Sequence, residues 1–195
     1  FVTIGGIEEY IQIRGQDAQN PLIIVLHGGP GNTMAFYSYY WQTDLEKDYT
    51  FVHWDQRGCG NTYYRNKEAE KPTFALLLSD LDELVDYVRG EYGQDKVTIL
   101  GHSWGTVLGG AYAGRHPEKV AAYVGVGQFT DVWKSEQCAA EEAVRLANVA
   151  GKTEDAKKIE EQFGMVQSAP KLDMRELLNL RQLTGKPLPE GKNTS

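Results

Sequence analysis

The first 130 residues alternate between short apolar runs and amphipathic stretches, a pattern typical of strands and helices that follow one another along a chain. Continuous apolar runs at 21–26 (PLIIVL) and 49–54 (YTFVHW) predict buried strands. Further strands are predicted at 9–14, where polar and apolar residues alternate, and at 96–100 and 119–126. Strands that recur with helices between them predict a mostly parallel sheet.

Two helices are predicted between these strands. From 73 to 92, apolar residues recur at helical spacing against acidic ones, with Thr73 as the expected N-cap and Gly93 beyond the end. The stretch 103–115 predicts a second helix, which Pro117 ends. The predicted fold class is therefore α/β, with helices flanking a mostly parallel sheet.

After residue 131 the pattern changes to Ala, Glu, Lys and Leu at helical spacing, without a convincing strand. Three helices are predicted there, at 132–150, 154–163 and 173–183. We therefore expect three segments: a core at 1–131, part of a helical cap at 132–186, and a loose polar tail at 187–195.

Composition excludes several classes of protein. The net charge is -7, from 20 basic and 27 acidic residues, and a Lys/Arg-rich run is absent, which argues against nucleic acid or an anionic membrane as a partner. Apolar runs stay well below the roughly 18 residues of a membrane-spanning helix. We therefore expect a soluble protein. Cys59 and Cys138 are too few for a disulfide framework, so a cytoplasmic location is expected. Because the chain opens on Phe1, a removed N-terminal signal stays an alternative. The sequence has no cluster with metal-ligand spacing and no cofactor motif, so neither a metal nor a cofactor is predicted.

A G-x-S-x-G motif stands between a predicted strand and the helix that follows it, with Ser103 between Gly101 and Gly105. In this context the serine lies on a sharp elbow and its hydroxyl projects from the end of the sheet. Glycine is needed on both sides because the elbow brings backbone segments close together. The motif predicts Ser103 as a catalytic nucleophile, and a serine that merely caps the helix is the competing interpretation.

A second glycine-rich motif, HGGPG at 27–31, directly follows the first buried run. Such a loop leaves backbone N–H groups free, and an acyl-transfer enzyme needs two of them aimed at the developing oxyanion. The predicted pair is the amides of Trp104 and Gly29, with Gly28 as the less favoured alternative to Gly29. The remaining motif residues are expected to shape the loop: His27, Pro30 and Gly31. An ordinary tight turn is the alternative.

Four stretches together resemble the α/β-hydrolase fold and, within it, the proline iminopeptidase (prolyl aminopeptidase) group. They are LHGGPG (26–31), WDQRGCGNT (54–62), LLLSDLDELVDYV (76–88) and LGHSWGTVLGGAYAGRHPEKV (100–120). The resemblance covers about residues 8–130. It implies Ser103 as nucleophile, Trp104 and Gly29 as oxyanion donors, and a structural turn at 55–60. Members of the group remove an N-terminal proline or another residue from small peptides, and relatives hydrolyse esters and amides, so a small peptide or ester is the implied substrate.

The acid and the histidine of a triad are harder to find. In this fold they follow the serine along the chain, and of the four histidines only His116 does so. It lies near the end of the helix that Ser103 begins, about 20 Å away at 1.5 Å rise per residue, which is too far for a general base. The other histidines belong to the elbow, the glycine loop and a strand (His102, His27 and His53). Asp131 stands where some relatives carry the acid, but the N-cap of a helix is the favoured interpretation.

These observations predict the N-terminal part of an α/β-hydrolase, with an incomplete sheet and with the acid and histidine beyond Ser195. The strand at 119–126 is then an open edge through which chains can associate. We expect these 195 residues alone to be catalytically inactive. The alternatives are a carboxylesterase or lipase-like hydrolase, and a non-catalytic ligand-binding protein of the same fold.

Overall fold

A computed structural model describes residues 1–169 and 174–185, apart from the side chains of Val132 and Met174. The chain divides into two compact units, Phe1–Thr130 and Asp131–Ser195. The predicted tail at 187–195 and the predicted helix start at 173 lie outside the described residues.

The first unit is built on a six-stranded mixed sheet. Its strands are β1 (Val2–Ile4), β2 (Ile7–Arg14), β3 (Leu22–Leu26), β4 (Thr50–Asp55), β5 (Val97–His102) and β6 (Val120–Val126). Their spatial order is β1-β2-β4-β3-β5-β6. The last four strands of this order pair in parallel, whereas β1 and β2 are antiparallel. The predicted α/β class with a mostly parallel sheet is confirmed.

The antiparallel edge was not predicted from the sequence. Gly5 and Gly6 turn β1 into β2 with φ values of 54° and 74°, the left-handed pair that a two-residue hairpin needs. Strand β2 then pairs with β4 rather than with β3, its neighbour in sequence. The first strand of the sequence prediction therefore belongs to a hairpin and does not begin a βα unit.

Helices surround this sheet. They are α1 (Tyr39–Gln42), α2 (Gly60–Arg65), α3 (Phe74–Tyr92) and α4 (Trp104–Arg115), with single 3-10 turns at Ala35–Tyr37 and Thr43–Leu45. Helix α3 begins as predicted, because the Thr73 side chain accepts a hydrogen bond from the Leu76 N–H at 3.2 Å. It ends as predicted at Gly93, whose φ is 61°. Apolar side chains from the sheet, α3 and α4 form one buried core: Leu22, Ile24, Leu26, Val52, Trp54, Leu81, Leu84, Val85, Val88, Ile99, Leu108 and Tyr112 are among its members.

A buried charge cluster joins the hairpin, α3 and the segment after β4. The Arg57 guanidinium donates to both carboxylate oxygens of Asp80, at 2.7 and 3.0 Å, and to the carbonyl of Gly5 at 2.8 Å. Glu9 is also buried, and one of its carboxylate oxygens accepts a 2.5 Å hydrogen bond from the Trp54 indole N–H. The amphipathic pattern assigns Asp80 to the polar face of its helix, yet the residue is completely buried, because Arg57 reaches it from another segment.

Strand β6 ends the sheet on the side opposite the hairpin. Within the described residues it pairs only with β5. Val124 and Val126 on this strand are 44% and 47% exposed. The sheet is therefore open along β6.

The second unit contains three helices, α5 (Val132–Val149), α6 (Thr153–Ser168) and α7 (Met174–Thr184). Asp131 caps α5 by accepting a hydrogen bond from the Lys134 N–H at 3.0 Å. The helices share a small apolar core of Ala140, Ala143, Ile159, Val166, Leu177 and Leu180. Among residues 1–169 and 174–185, no helix is both long and apolar enough to cross a membrane.

Candidate active site

Ser103 stands on a sharp turn between β5 and α4. Its backbone has φ 50° and ψ -116°, and it is the only described residue other than glycine with a positive φ. Its N–H donates to the carbonyl of Val126 at 2.8 Å, and its carbonyl accepts from the N–H and the hydroxyl of Thr106 at 2.9 and 2.6 Å. A conformation of this kind costs roughly 1–3 kcal/mol, and these three hydrogen bonds hold it in place.

The glycines on either side of Ser103 allow the backbone to close on itself. A Cβ built on Gly101 would lie 2.5 Å from the carbonyl oxygen of Gly105. A Cβ on Gly105 would lie 2.1 Å from the carbonyl oxygen of Leu26 at the end of β3. Any side chain at either position would collide with main-chain atoms, which cannot move aside as a flexible side chain does. The elbow thus depends on both glycines.

The HGGPG loop lies directly against this elbow. A Cβ on Gly28 would be 3.2 Å from the Cβ of Ser103 and 3.0 Å from Nδ1 of His102. Gly29 and Gly31 have φ values of 112° and 93°, a region that favours glycine, and the Gly29–Pro30 peptide bond is cis. The structure therefore brings together the two motifs that the sequence analysis singles out.

Within the described chain, both motifs contain backbone N–H groups without an acceptor. Among the described residues, the amides of Gly29 and Trp104 make no hydrogen bond. Trp104 is the first residue of α4, a position whose N–H has no partner within its own helix and where the helix dipole is positive. The Gly28 carbonyl, by contrast, accepts hydrogen bonds from the Asn32 N–H at 3.1 Å and from Nδ1 of His27 at 2.9 Å.

His27 is buried beneath the glycine loop. Its Nδ1 donates to the Gly28 carbonyl, and its Nε2 lies 3.4 Å from the Gln56 backbone nitrogen and 3.3 Å from Sγ of Cys59. Burial lowers the pKa of His27, so the ring is neutral at neutral pH, with its proton on Nδ1. Burial likewise raises the pKa of Cys59 to about 12, so its sulfur is a thiol. The sequence predicts only a turn at 55–60, and the contact between Cys59 and His27 is not predicted.

The other histidines have different neighbours. His53 is buried and its Nε2 lies 2.6 Å from Oε1 of Gln42, and burial lowers its pKa to about 4. His116 stacks on Tyr112 at a ring distance of 4.7 Å and lies 3.3 Å from Glu118. His102 lies on the elbow itself. Within the described residues, which include all four histidines, the Ser103 hydroxyl has no hydrogen-bond partner.

The segment after β4 lies beside the glycine loop. The Asp55 carboxylate accepts hydrogen bonds from the backbone and side-chain nitrogens of Asn61, at 2.8 and 3.1 Å, and burial raises the pKa of Asp55. These bonds fix the start of α2, where a Cβ on Gly60 would lie 2.3 Å from Oδ2 of Asp55. A Cβ on Gly31 would in turn lie 3.8 Å from the Cβ of Cys59. The two loops are therefore in contact.

Fold and site together define an α/β-hydrolase. Residues 21–159 match the alpha/beta hydrolase fold family, and the chain belongs to that family. Over 138 residues it is 31% identical to the probable aminopeptidase YbaC of Bacillus subtilis strain 168, a match that covers 71% of this chain and 43% of that protein. Over 127 residues it is 33% identical to the proline iminopeptidase of Heyndrickxia coagulans, covering 64% of this chain and 41% of that protein. The predicted resemblance is confirmed, and the chain spans about two fifths of the length of these curated relatives.

Solved structures share the fold. An epoxide hydrolase from Vigna radiata superposes with a TM-score of 0.50 at 30% identity, covering 64% of this chain and 38% of that one. A proline iminopeptidase-related protein from Thermus thermophilus superposes with a TM-score of 0.56 at 24% identity, covering 96% of this chain and 56% of that one. The family is thus one of hydrolases, with aminopeptidase-named and epoxide hydrolase relatives.

Proposed function

We propose that this chain carries the nucleophile and the oxyanion donors of a serine hydrolase of the proline iminopeptidase type. Such an enzyme removes an N-terminal residue from a small peptide through an acyl-enzyme at Ser103. The observation that carries the proposal is the position of Ser103 on a left-handed elbow, against a glycine loop, with two unengaged amides nearby.

In the proposed reaction, the Ser103 hydroxyl gives its proton to a general base and attacks the carbonyl carbon of the scissile bond. The carbonyl oxygen then becomes an oxyanion, which accepts hydrogen bonds from the amides of Trp104 and Gly29. Collapse of this intermediate breaks the C–N bond, the shortened peptide leaves as an amine that takes the proton from the base, and water hydrolyses the acyl-enzyme. Gly29 is taken as the second donor and Gly28 as the alternative, as the sequence predicts. The positive end of α4 adds to the stabilisation of the negative charge. Loss of one such donor costs about 10²–10³-fold in kcat.

A general base is also required, and the histidines of this chain are poor candidates. His27 and His53 are buried and hydrogen-bonded to other groups, and His116 contacts Glu118. We therefore propose that the base and its acid partner come from residues outside this sequence, and that unit Asp131–Ser195 is part of a helical cap. Where the base of a triad is removed, kcat falls roughly a millionfold, so the 195 residues alone are expected to be catalytically inactive.

The names of the curated relatives support an aminopeptidase, whereas a related serine esterase would use the same chemistry at Ser103. A panel of three substrates separates the classes: a proline arylamide, a short-chain aryl ester and a terminal epoxide, the last because epoxide hydrolases share the fold. We expect turnover of the arylamide. Turnover of the ester alone would move the protein to the esterases.

The nucleophile is tested by labelling with a fluorophosphonate probe in a longer protein that contains this chain. Ser103→Ala is expected to abolish labelling. The matched control is Ser79→Ala, on the exposed face of α3, which should leave labelling unchanged. Equal labelling of the Ser103→Ala variant and the parent would overturn the assignment. A folded protein that takes no label would favour the non-catalytic binding protein.

A further inference from the structure

The direction of the Gly29 N–H is set by the peptide group to which it belongs. The Gly28–Gly29 bond is trans, so its C=O and N–H lie in one plane and point in opposite directions. Two hydrogen bonds, from the Asn32 N–H and from His27 Nδ1, hold the Gly28 carbonyl. Whatever holds the carbonyl therefore also aims the Gly29 N–H.

Of these two donors, the His27 ring is the one that can rotate. Its orientation depends on what faces Nε2, the nitrogen on the other side of the ring. There Nε2 accepts a hydrogen bond from the Gln56 N–H at 3.4 Å, and the Cys59 sulfur packs against Nε2 at 3.3 Å. The Cys59 sulfur is fixed in turn, because its thiol donates a hydrogen bond to the carbonyl oxygen of Gln56 at 2.8 Å.

The two side chains are buried and uncharged. Cys59 is 8% exposed and His27 is 1% exposed, so the contact between them is shielded from bulk solvent. Cys59 also packs against the glycine loop at Gly31, where an added Cβ would lie 3.8 Å from the Cβ of Cys59. A smaller side chain at position 59 would leave space beside the ring and remove the polar atom that faces Nε2.

We infer that Cys59 is a positioning residue: through His27 it holds the Gly28–Gly29 peptide so that the Gly29 N–H points at the developing oxyanion. The inference rests on the proposed function and assigns Cys59 no chemistry of its own. Because the Gly29 donor serves the transition state more than the bound substrate, misalignment lowers kcat and leaves KM unchanged. The loss is smaller than the 10²–10³-fold cost of removing a donor, and we expect about 10-fold.

The experiment compares three variants with the parent in a longer protein that turns over substrate. Cys59→Ala is expected to lower kcat about 10-fold at constant KM. Cys59→Ser keeps a polar atom facing His27 and is expected to restore more than half of kcat. The matched control, Cys138→Ala, replaces the exposed cysteine on α5 and should retain full kcat. A Cys59→Ala variant with parental kcat, or one whose loss serine does not relieve, would overturn the inference.

A second readout separates this inference from the proposed function. Nitrogen-15 NMR of the His27 ring reports the surroundings of each ring nitrogen, whether or not the protein is active. We expect the Nδ1–H tautomer in both proteins, because the Gly28 carbonyl and the Gln56 N–H select it, and a shifted Nε2 resonance in Cys59→Ala, because the ring moves into the space that the sulfur leaves. Absence of turnover that depends on Ser103 would refute the proposed function, whereas an unchanged Nε2 resonance in Cys59→Ala would refute the role of Cys59.

Discussion

Glu9 is expected to make the stability of this protein depend on pH near neutrality. Its carboxyl group is buried, and the cation that acts on it, Arg57, is already bound to both oxygens of Asp80. Burial is the largest cause that raises the pKa of Glu9 from 4.5 to about 8, and the negative charges of Asp80 and Glu83 raise it further. The hydrogen bond from Trp54 and the positive charge of Arg57 act in the opposite direction. The folded protein therefore holds a proton that the unfolded chain releases.

The magnitude follows from the two pKa values. Because the folded pKa is raised, the stabilisation by the retained proton is fully present below pH 4.5 and is lost as the pH rises through about 8. Each pH unit in this interval is worth about 1.36 kcal/mol, so the complete loss is about 5 kcal/mol. Between pH 5 and 9 the expected loss is about 4 kcal/mol.

The perturbation is Glu9→Gln, which keeps the size of the side chain and removes its titration. Free energies of unfolding are measured by urea titration with tryptophan fluorescence at pH 5, 7 and 9. Relative to Glu9→Gln, the parent should lose about 4 kcal/mol across this range. The matched control is Glu91→Gln, at an exposed position of α3, which should follow the parent at every pH.

The comparison is decisive because other titrating groups act equally on both proteins. If the difference between the parent and Glu9→Gln stays constant within about 1 kcal/mol from pH 5 to 9, the buried carboxyl group holds no proton. Arg57 would then neutralise Glu9 from a distance while bound to Asp80.

Two further predictions concern the backbone of the elbow and the open edge of the sheet. Gly105→Ala should destabilise the fold by more than about 2 kcal/mol in urea unfolding, because the new Cβ would lie 2.1 Å from a main-chain oxygen. The matched control is Gly114→Ala on the same helix, whose Cβ would meet open space, and it should be neutral or stabilising. Equal effects would contradict the close approach. Val124→Lys on β6 should reduce self-association measured by light scattering, since a charge on an edge strand opposes pairing; unchanged association would exclude this edge.

Elements with strong local signals are readable from the sequence. Helix α3 is predicted at 73–92 and observed at Phe74–Tyr92, because its apolar periodicity and both caps lie within the segment itself. The elbow is readable for a similar reason. Two glycines around a serine, between a strand and a helix, predict a close approach of backbone, and Gly101 and Gly105 make that approach.

Features that depend on distant partners are not readable in this way. The antiparallel pairing of β2 with β4 joins Tyr10 to Asp55, far apart in the chain. Helix α2 lacks an apolar periodicity and begins where the Asp55 side chain binds Asn61. The contact between His27 and Cys59 joins two loops whose proximity follows only from the order of the strands. For the same reason, the pattern around Asp80 gives no sign that an arginine will reach it.

On the proposed function, the left-handed backbone at Ser103 places the demands of folding and of chemistry in opposition at a single residue. Glycine adopts φ 50° and ψ -116° freely, whereas a residue with a Cβ gives up roughly 1–3 kcal/mol there. Mutation and selection for stability alone would therefore carry position 103 towards glycine. On the proposed function, selection for the hydroxyl is what opposes that drift. In a homologue without catalytic activity, replacement of this serine by glycine would stabilise the fold. Glycine at position 103 is therefore the residue expected in such a homologue.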